Sequence, residues 1–301
     1  MKISVTISTY SRDRLDDVKK CINSLKKQKL PPDEILLVLD NDEQLIEYYK
    51  KELPDIKIIN SGGKGLSRAR NFGVDSAIGD VIAFIDDDAT ADENWVLLIS
   101  REFEEDIVGV GGQIIPVWGT DRPYWFPEEI DWVVGCTYKG MPETRSRVRN
   151  PIGCNMAFKR NDIIKAGYFK EDIGRIGKIL LGSEETELSI RIKSQFPDLD
   201  IIYNPNIIVY HKVSSSRANL EYVIRRSFFE GVSKSVLSSL IKKSGKTNVT
   251  ELSYLEYLIK NSLPKRLLCI PSIMKISQFF ILLLVIKMVF LGYVYGKIKY
   301  T

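Results

Sequence analysis

The chain has 301 residues, 44% hydrophobic and 27% charged, which suits one large folded domain with an appendage and excludes a disordered chain. Its net charge of +4 belongs to the C-terminal end: from Asn261 onward six of the 43 basic residues stand without an acid, leaving 37 basic against 39 acidic before it. A faintly acidic body with a basic, apolar tail argues against nucleic-acid binding and for contact with a membrane surface.

In chain order, residues 3–8 alternate as a strand rather than as the apolar core of a signal peptide, so the body is expected to stay in the cytoplasm. Residues 15–27 read as an amphipathic helix and 35–39 as a buried strand announced by Pro31-Pro32. A short strand at 56–59, a helix at 66–77 ended by Gly79, a strand at 81–85 and a helix at 94–104 complete an alternation that predicts a doubly wound, mostly parallel α/β sheet. After Gly111-Gly112 the pattern breaks into a stretch with Trp118, Tyr124, Trp125, Phe126 and Trp132, which suits packing or an acceptor pocket, since sugars stack on aromatic faces. Helices follow at 161–167 and 184–194, strands at 201–203 and 207–210, and helices at 220–242 and 251–262.

Residues 279–295 are apolar except for Lys287, and the apolar region extends back to Leu267 if Lys275 is tolerated. Seventeen residues is near the lower limit for a span, and a mid-bilayer lysine costs roughly 2.5–3.5 kcal/mol, so a span and a helix lying in the interface both remain open.

The chemistry concentrates at Asp86-Asp87-Asp88, which emerge from the apolar run Val81 to Ile85. Adjacent carboxylates repel, and a divalent cation relieves them; the carboxyl ends of strands are also where open α/β sheets bind ligands. A solvated acidic turn would show the same residues. Asp40 ends the second strand at the same sheet edge. Gly62-Gly63-Lys64-Gly65 opens the helix bearing Arg68, Arg70 and Asn71, and exposes N–H groups to phosphate without the P-loop ending. Ser183-Glu184-Glu185 starts a later helix, where capping alone would also favour early acids. His211, the only histidine, follows the strand at 207–210 and is either structural or a metal ligand. The four cysteines, Cys21, Cys136, Cys154 and Cys269, lack a Cys-x-x-Cys spacing, which argues against structural zinc and for reduced thiols.

Taken in order, Thr9-Tyr10, Asp40, Gly65 to Asn71 with Gly73, Phe84 to Asp88, Gly153-Cys154-Asn155, Glu184-Glu185 and His211 resemble the family 2 glycosyltransferases of GT-A fold over roughly residues 1–231. Gly65-Leu66-Ser67, Val148-Arg149-Asn150, Ala157-Phe158 and Tyr203-Asn204-Pro205 look most like the archaeal glucosyl-dolichyl phosphate glucuronosyltransferases. The resemblance implies a metal-dependent inverting enzyme that moves one sugar from a UDP-sugar, with UDP-glucuronate the donor, to a dolichyl-phosphate-linked saccharide in protein N-glycosylation. Another surface polysaccharide or glycolipid is the alternative product. Thr9, Tyr10, Asp40, Gly65, Arg70, Asn71, Asp86 and Asp87 would hold the nucleotide, and Asp86, Asp88 and His211 would hold Mn²⁺ or Mg²⁺. Gly153, Asn155, Arg225 and Arg226 would border the acceptor.

The family's base is usually the aspartate of a Glu-Asp pair; here Glu185 stands at that position, one methylene longer, which leaves Glu184 and Glu185 both open as the base. The Gln-x-x-Arg-Trp signature of processive synthases is absent, in keeping with single-sugar transfer. A nucleotidyltransferase would need a glycine-rich loop after the first strand, where Ser8 to Arg12 has no glycine, and a non-catalytic membrane-tethered nucleotide-binding protein would not keep the acids. The expected organisation is a nucleotide-sugar-binding half at 1–115, an acceptor and base half at 116–218, a helical linker at 219–265 and a membrane anchor at 266–297, with the catalytic domain on the cytoplasmic face of the cell membrane.

Overall fold

The computed structural model describes residues 1–172, 182–243, 249–268 and 272–300. The chain forms two compact units, the first built from Met1–Ile115, Pro142–Ile179 and Glu184–His211, the second from Pro116–Met141, Leu180–Ser183 and Lys212–Thr301.

The first unit opens with β1 (Ile3–Thr9), α1 (Leu15–Lys26), β2 (Glu34–Leu39), α2 (Glu43–Glu52), β3 (Lys57–Asn60), α3 (Leu66–Ser76) and β4 (Val81–Asp86). β3, β2, β1 and β4 lie side by side and parallel, as the alternating sequence leads one to expect. Helix α2 was not anticipated: its run of Glu, Tyr and Lys is only weakly periodic, but the Asp42 carboxylate accepts from Leu45 N–H at 3.0 Å and caps it, while Leu45, Ile46 and Tyr49 face inward.

Then come β5 (Ala89–Ala91), α4 (Trp95–Glu102), β6 (Ile107–Trp118), β7 (Ser146–Arg147), β8 (Asn155–Lys159), α5 (Arg160–Lys165), α6 (Glu184–Gln195) and β9 (Asp200–Val213). These strands extend the sheet in the order β4-β8-β6-β9-β5, with β8 antiparallel to both β4 and β6, and β5 and β7 antiparallel to β9. The sheet is therefore mixed and not mostly parallel: β3, β2, β1 and β4 lie parallel, and the other five strands join by antiparallel pairing.

The break in pattern after Gly111-Gly112 is a continuous strand. A Cβ on Gly112 would lie 1.9 Å from the Ile207 carbonyl oxygen, and one on Gly111 2.5 Å from Pro151, so close approach, not a turn, requires these glycines. The two short strands expected at 201–203 and 207–210 are likewise one strand, β9.

Strand alternation puts Leu36, Ile82, Phe84, Met156, Phe158 and Ile201 into one cluster with Val74 of α3, Ile163 of α5, and Leu188 and Ile192 of α6. The intervening Leu37, Ala83 and Ile85 are buried as well, so both faces of the sheet are covered and its carboxyl edge is left for binding.

The second unit holds the aromatic stretch and the C-terminal helices α7 (Leu220–Lys243), α8 (Val249–Tyr257), α9 (Leu263–Leu268) and α10 (Ile273–Tyr300). The helix expected at 251–262 ends as a π-helical turn, Leu258–Ser262. α10 is 28 residues with mean hydropathy 2.2 over its most apolar window, long and apolar enough to cross a membrane. It packs on α7 through small residues: a Cβ on Gly292 would meet the Phe228 carbonyl oxygen at 1.9 Å, and one on Gly231 the Val289 carbonyl oxygen at 2.0 Å. Residues 269–271, within the backward extension of the apolar region, and Cys269 itself lie outside the described residues.

The aromatic stretch packs internally. Trp118 and Phe126 meet edge to face at 5.2 Å, and the Arg122 guanidinium lies over both rings while pairing with Asp131 at 2.7 Å. Glu129 is bound by Arg266 at 2.7 Å and by the Ser262 hydroxyl at 2.5 Å, which ties the stretch to the helical region of the same unit.

Candidate active site

The register of the first unit explains how distant residues meet. β1 ends at Thr9 beside β2, and Ser8 aligns with Asp86 on β4. β5 turns back directly after Asp88 and sets Ala89 opposite His211 on β9, so the lone histidine arrives at the triplet of acids. There His211 Nε2 lies 3.2 Å from Asp88 Oδ1, with both side chains buried.

Asp86, Cys154 and His211 have ligand atoms all within 4.8 Å of one another. A carboxylate, an imidazole and a thiol thus meet at the sheet's carboxyl end, with the Asp88 carboxylate on the imidazole. A cation with bonds of about 2.0–2.6 Å fits such a group, and its oxygen and nitrogen donors suit Mn²⁺. Of the three residues expected to bind metal, Asp86 and His211 belong to this group with Cys154, and Asp88 contacts His211 from beside it; Cys154 is an addition that its sequence neighbours did not mark as a ligand.

Asp87 turns away from that point. Thr9 Oγ1 donates to its Oδ2 at 2.6 Å and Arg14 Nη1 lies 3.3 Å from its Oδ1, while the same Arg14 nitrogen donates to Asp88 Oδ2 at 2.8 Å. Burial raises the Asp87 carboxyl to about 7, assisted by Asp88 and opposed by Arg14. Burial works against the Arg14 charge, but the two aspartates outweigh it and raise its pKa. Arg14 sits in a short 3₁₀ turn after β1 and joins the site only through folding, so no local motif pointed to it.

Tyr10, expected at the nucleotide, is 64% exposed next to this group, with its ring 5.8 Å from the Arg14 guanidinium. Asp40 accepts from the Gly65 N–H, and burial raises its carboxyl pKa. Gly65 has φ +120° at the start of α3, a conformation open to glycine, and so presents the helix N-terminus at the same sheet edge.

Arg70 and Asn71 of α3 are both engaged. Arg70 Nη1 donates to Glu184 Oε1 at 2.9 Å, and Nη2 donates to the Gly153 carbonyl at 3.3 Å; a Cβ on Gly153 would lie 2.7 Å from that nitrogen. Asn71 donates to the Phe169 carbonyl and accepts from the Phe169 N–H, each at 2.9 Å. Asn155 is also internal: it accepts from Trp95 Nε1 at 2.8 Å and donates to the carbonyls of Gln113 and Ile207.

Glu184 is buried against Arg70, and its Oε2 has no hydrogen-bond partner among the described residues. Glu185, next in α6, is half-buried. Ser183 before them takes φ +82°. In the second unit, Arg226 pairs with Glu230 at 2.8 Å and lies under the Trp132 ring, whereas the Arg225 side chain is 53% exposed.

Residues 4–167 match the model of "Glycosyl transferase family 2". The glucosyl-dolichyl phosphate glucuronosyltransferase of Haloferax volcanii is 33% identical over 98% of this chain and 96% of its own. The succinoglycan biosynthesis protein ExoM of Rhizobium meliloti is 26% identical over 77% of this chain and 73% of its own. Among solved structures, the mannosyltransferase PcManGT of Pyrobaculum calidifontis, in complex with GDP-Man and Mn²⁺, superposes with a TM-score of 0.60 at 13% identity, covering 99% of this chain and 87% of that one. GalNAc-T7 with UDP, GalNAc and Mn²⁺ gives a TM-score of 0.54 at 17% identity over 86% of this chain and 57% of that one. The two structures show the shared GT-A-like fold, and the sequence matches show that this chain belongs to glycosyl transferase family 2.

Proposed function

We propose that the protein transfers one glucuronate residue from UDP-glucuronate to a dolichyl-phosphate-linked saccharide at the cytoplasmic face of a membrane. The observation that carries the reading is the match to the Haloferax enzyme along 98% of the chain, which includes the apolar helix α10 as well as the catalytic unit. A cleft of about 630 Å³ in the second unit supports a lipid-borne acceptor, since Tyr124, Trp125, Leu220, Phe280 and Ile281 give it an apolar wall alongside α10.

In this reading Thr9, Tyr10, Asp40 and the N-terminus of α3 hold the nucleotide, and Asp86, Asp88 and His211 hold Mn²⁺. The bound ion would offset diphosphate charge and make UDP a better leaving group. Asp87 holds Thr9 and Arg14 in place beneath the nucleotide.

The acceptor hydroxyl attacks the anomeric carbon from the face opposite UDP. Its proton passes to Glu185, the new C–O bond forms, and the electrons of the old one leave on the β-phosphate oxygen, which inverts the anomeric centre. Glu184 is the weaker candidate for that proton, because it is the counter-ion of buried Arg70. Gly153 and Asn155 shape the acceptor side through Arg70 and the sheet.

The test is UDP release by detergent-solubilised protein from a panel of UDP- and GDP-sugars with Mn²⁺, with and without dolichyl phosphate glucose. Acceptor-stimulated release from UDP-glucuronate alone is the expected result. Selective turnover of another donor would overturn the donor assignment.

A further inference from the structure

We propose that Cys154 places a thiolate sulfur in the cation site, so that the site holds thiophilic ions such as Co²⁺ and Cd²⁺ in preference to Mg²⁺. The inference rests on the reading above that Asp86, Asp88 and His211 hold a divalent ion, and adds a fourth protein donor of different chemistry.

The placement is built by the sheet. β8 runs antiparallel to β4 with Ile85 opposite Asn155, so continuing that register one step sets Cys154 against Asp86. The Asn155 N–H donates to the Ile152 carbonyl at 3.0 Å, and the Asn155 side chain is fixed by three hydrogen bonds, which leaves the preceding residue little freedom to move. β9 brings His211 to the same point from the other side through its pairing with β5.

The resulting sulfur, carboxylate oxygen and imidazole nitrogen lie within 4.8 Å of one another, close to the span of two ligands on opposite sides of a cation with bonds of about 2.0–2.4 Å. Cys154 is 4% exposed and His211 2%. On binding, the Cys154 S–H bond breaks, its proton goes to buffer, and the sulfur lone pair forms the metal bond.

Carboxylates and phosphates suit Mg²⁺ and Mn²⁺, whereas a thiolate favours softer ions. One sulfur beside two carboxylates therefore makes a site of mixed character, in which the thiol sets which ion is kept.

The test is titration of the full-length detergent-solubilised protein with Co²⁺, followed by visible and near-ultraviolet absorption. Wild type is expected to give a sulfur-to-cobalt charge-transfer band that Cys154→Ser lacks, and the preference for Cd²⁺ over Mg²⁺ should fall by about tenfold or more in that variant. Cobalt bound with an oxygen-and-nitrogen spectrum in wild type, or a sulfur band that survives Cys154→Ser, overturns the thiol assignment and leaves the cation site standing. Failure to bind Co²⁺ at all overturns the cation site and the thiol with it. If Cys154→Ser does not fold, X-ray absorption of the Cd²⁺-loaded wild type decides: one sulfur in the first shell supports the assignment, and none overturns it.

Discussion

Arg70 Nη1 and Glu184 Oε1 form a 2.9 Å ion pair whose side chains are only 4% and 7% exposed. Two adjacent glutamates at the start of one helix are thereby given different surroundings: Glu184 faces a fixed cation and Glu185 is partly open to solvent. Removing one partner of a buried pair strands the other charge, so Glu184→Ala should destabilise the protein by roughly 3–5 kcal/mol. Glu185→Gln should leave the melting temperature nearly unchanged, keep donor affinity and lose transfer by at least about a hundredfold. Thermal unfolding, donor titration and turnover of the two variants separate the roles.

Arg14 neutralises Asp87 and Asp88 from one nitrogen. In Arg14→Gln the buried acids repel one another without a counter-charge, so stability should fall in chelator and recover with Mn²⁺ by mass action. The Mn²⁺-induced rise in melting temperature is expected to be larger in this variant than in wild type, and calorimetry with and without Mn²⁺ measures it.

Glu230 carries the clearest pH dependence outside the catalytic unit. Burial opposes its charge, but Lys234 and Arg226 prevail and hold the carboxyl at about 2, below its ordinary value of 4.5. A carboxyl with a depressed folded pKa stabilises above its unfolded pKa and loses that contribution as pH falls through the folded one. Wild type should therefore exceed Glu230→Gln in stability near neutrality, with the gap closing between about pH 5 and pH 2 in denaturant unfolding.

Gly292 has the Phe228 carbonyl where a side chain would begin. Gly292→Leu must push α10 from α7, at a cost of about 1–3 kcal/mol or more. Detergent melting should show the loss, while fractionation with membranes stays as in wild type, because the apolar length of α10 is unchanged.

The parallel half of the sheet was legible because β1, β2 and β4 are apolar runs closed by turn residues, a pattern written within a few positions. β6 was not, because Gly111 and Gly112 read as a break until Pro151 and Ile207 are seen pressing on them. At the site, the order of motifs named Asp86, Asp88 and His211, and folding sets His211 against Asp88 and near Asp86. Arg14 and Cys154 had no such signal, since each gains its meaning from partners on other strands. The different surroundings of Glu184 and Glu185 are invisible in their shared sequence context, because Arg70 reaches Glu184 only through folding.

The most direct test follows labelled glucuronate from UDP-glucuronate into glucosyl-dolichyl phosphate, with Mn²⁺, in wild type, Asp88→Ala and Glu185→Gln. The account predicts a labelled lipid product from wild type and essentially none from either variant. Transfer from a different nucleotide sugar but not from UDP-glucuronate would contradict the donor, and undiminished product from Glu185→Gln would contradict the base.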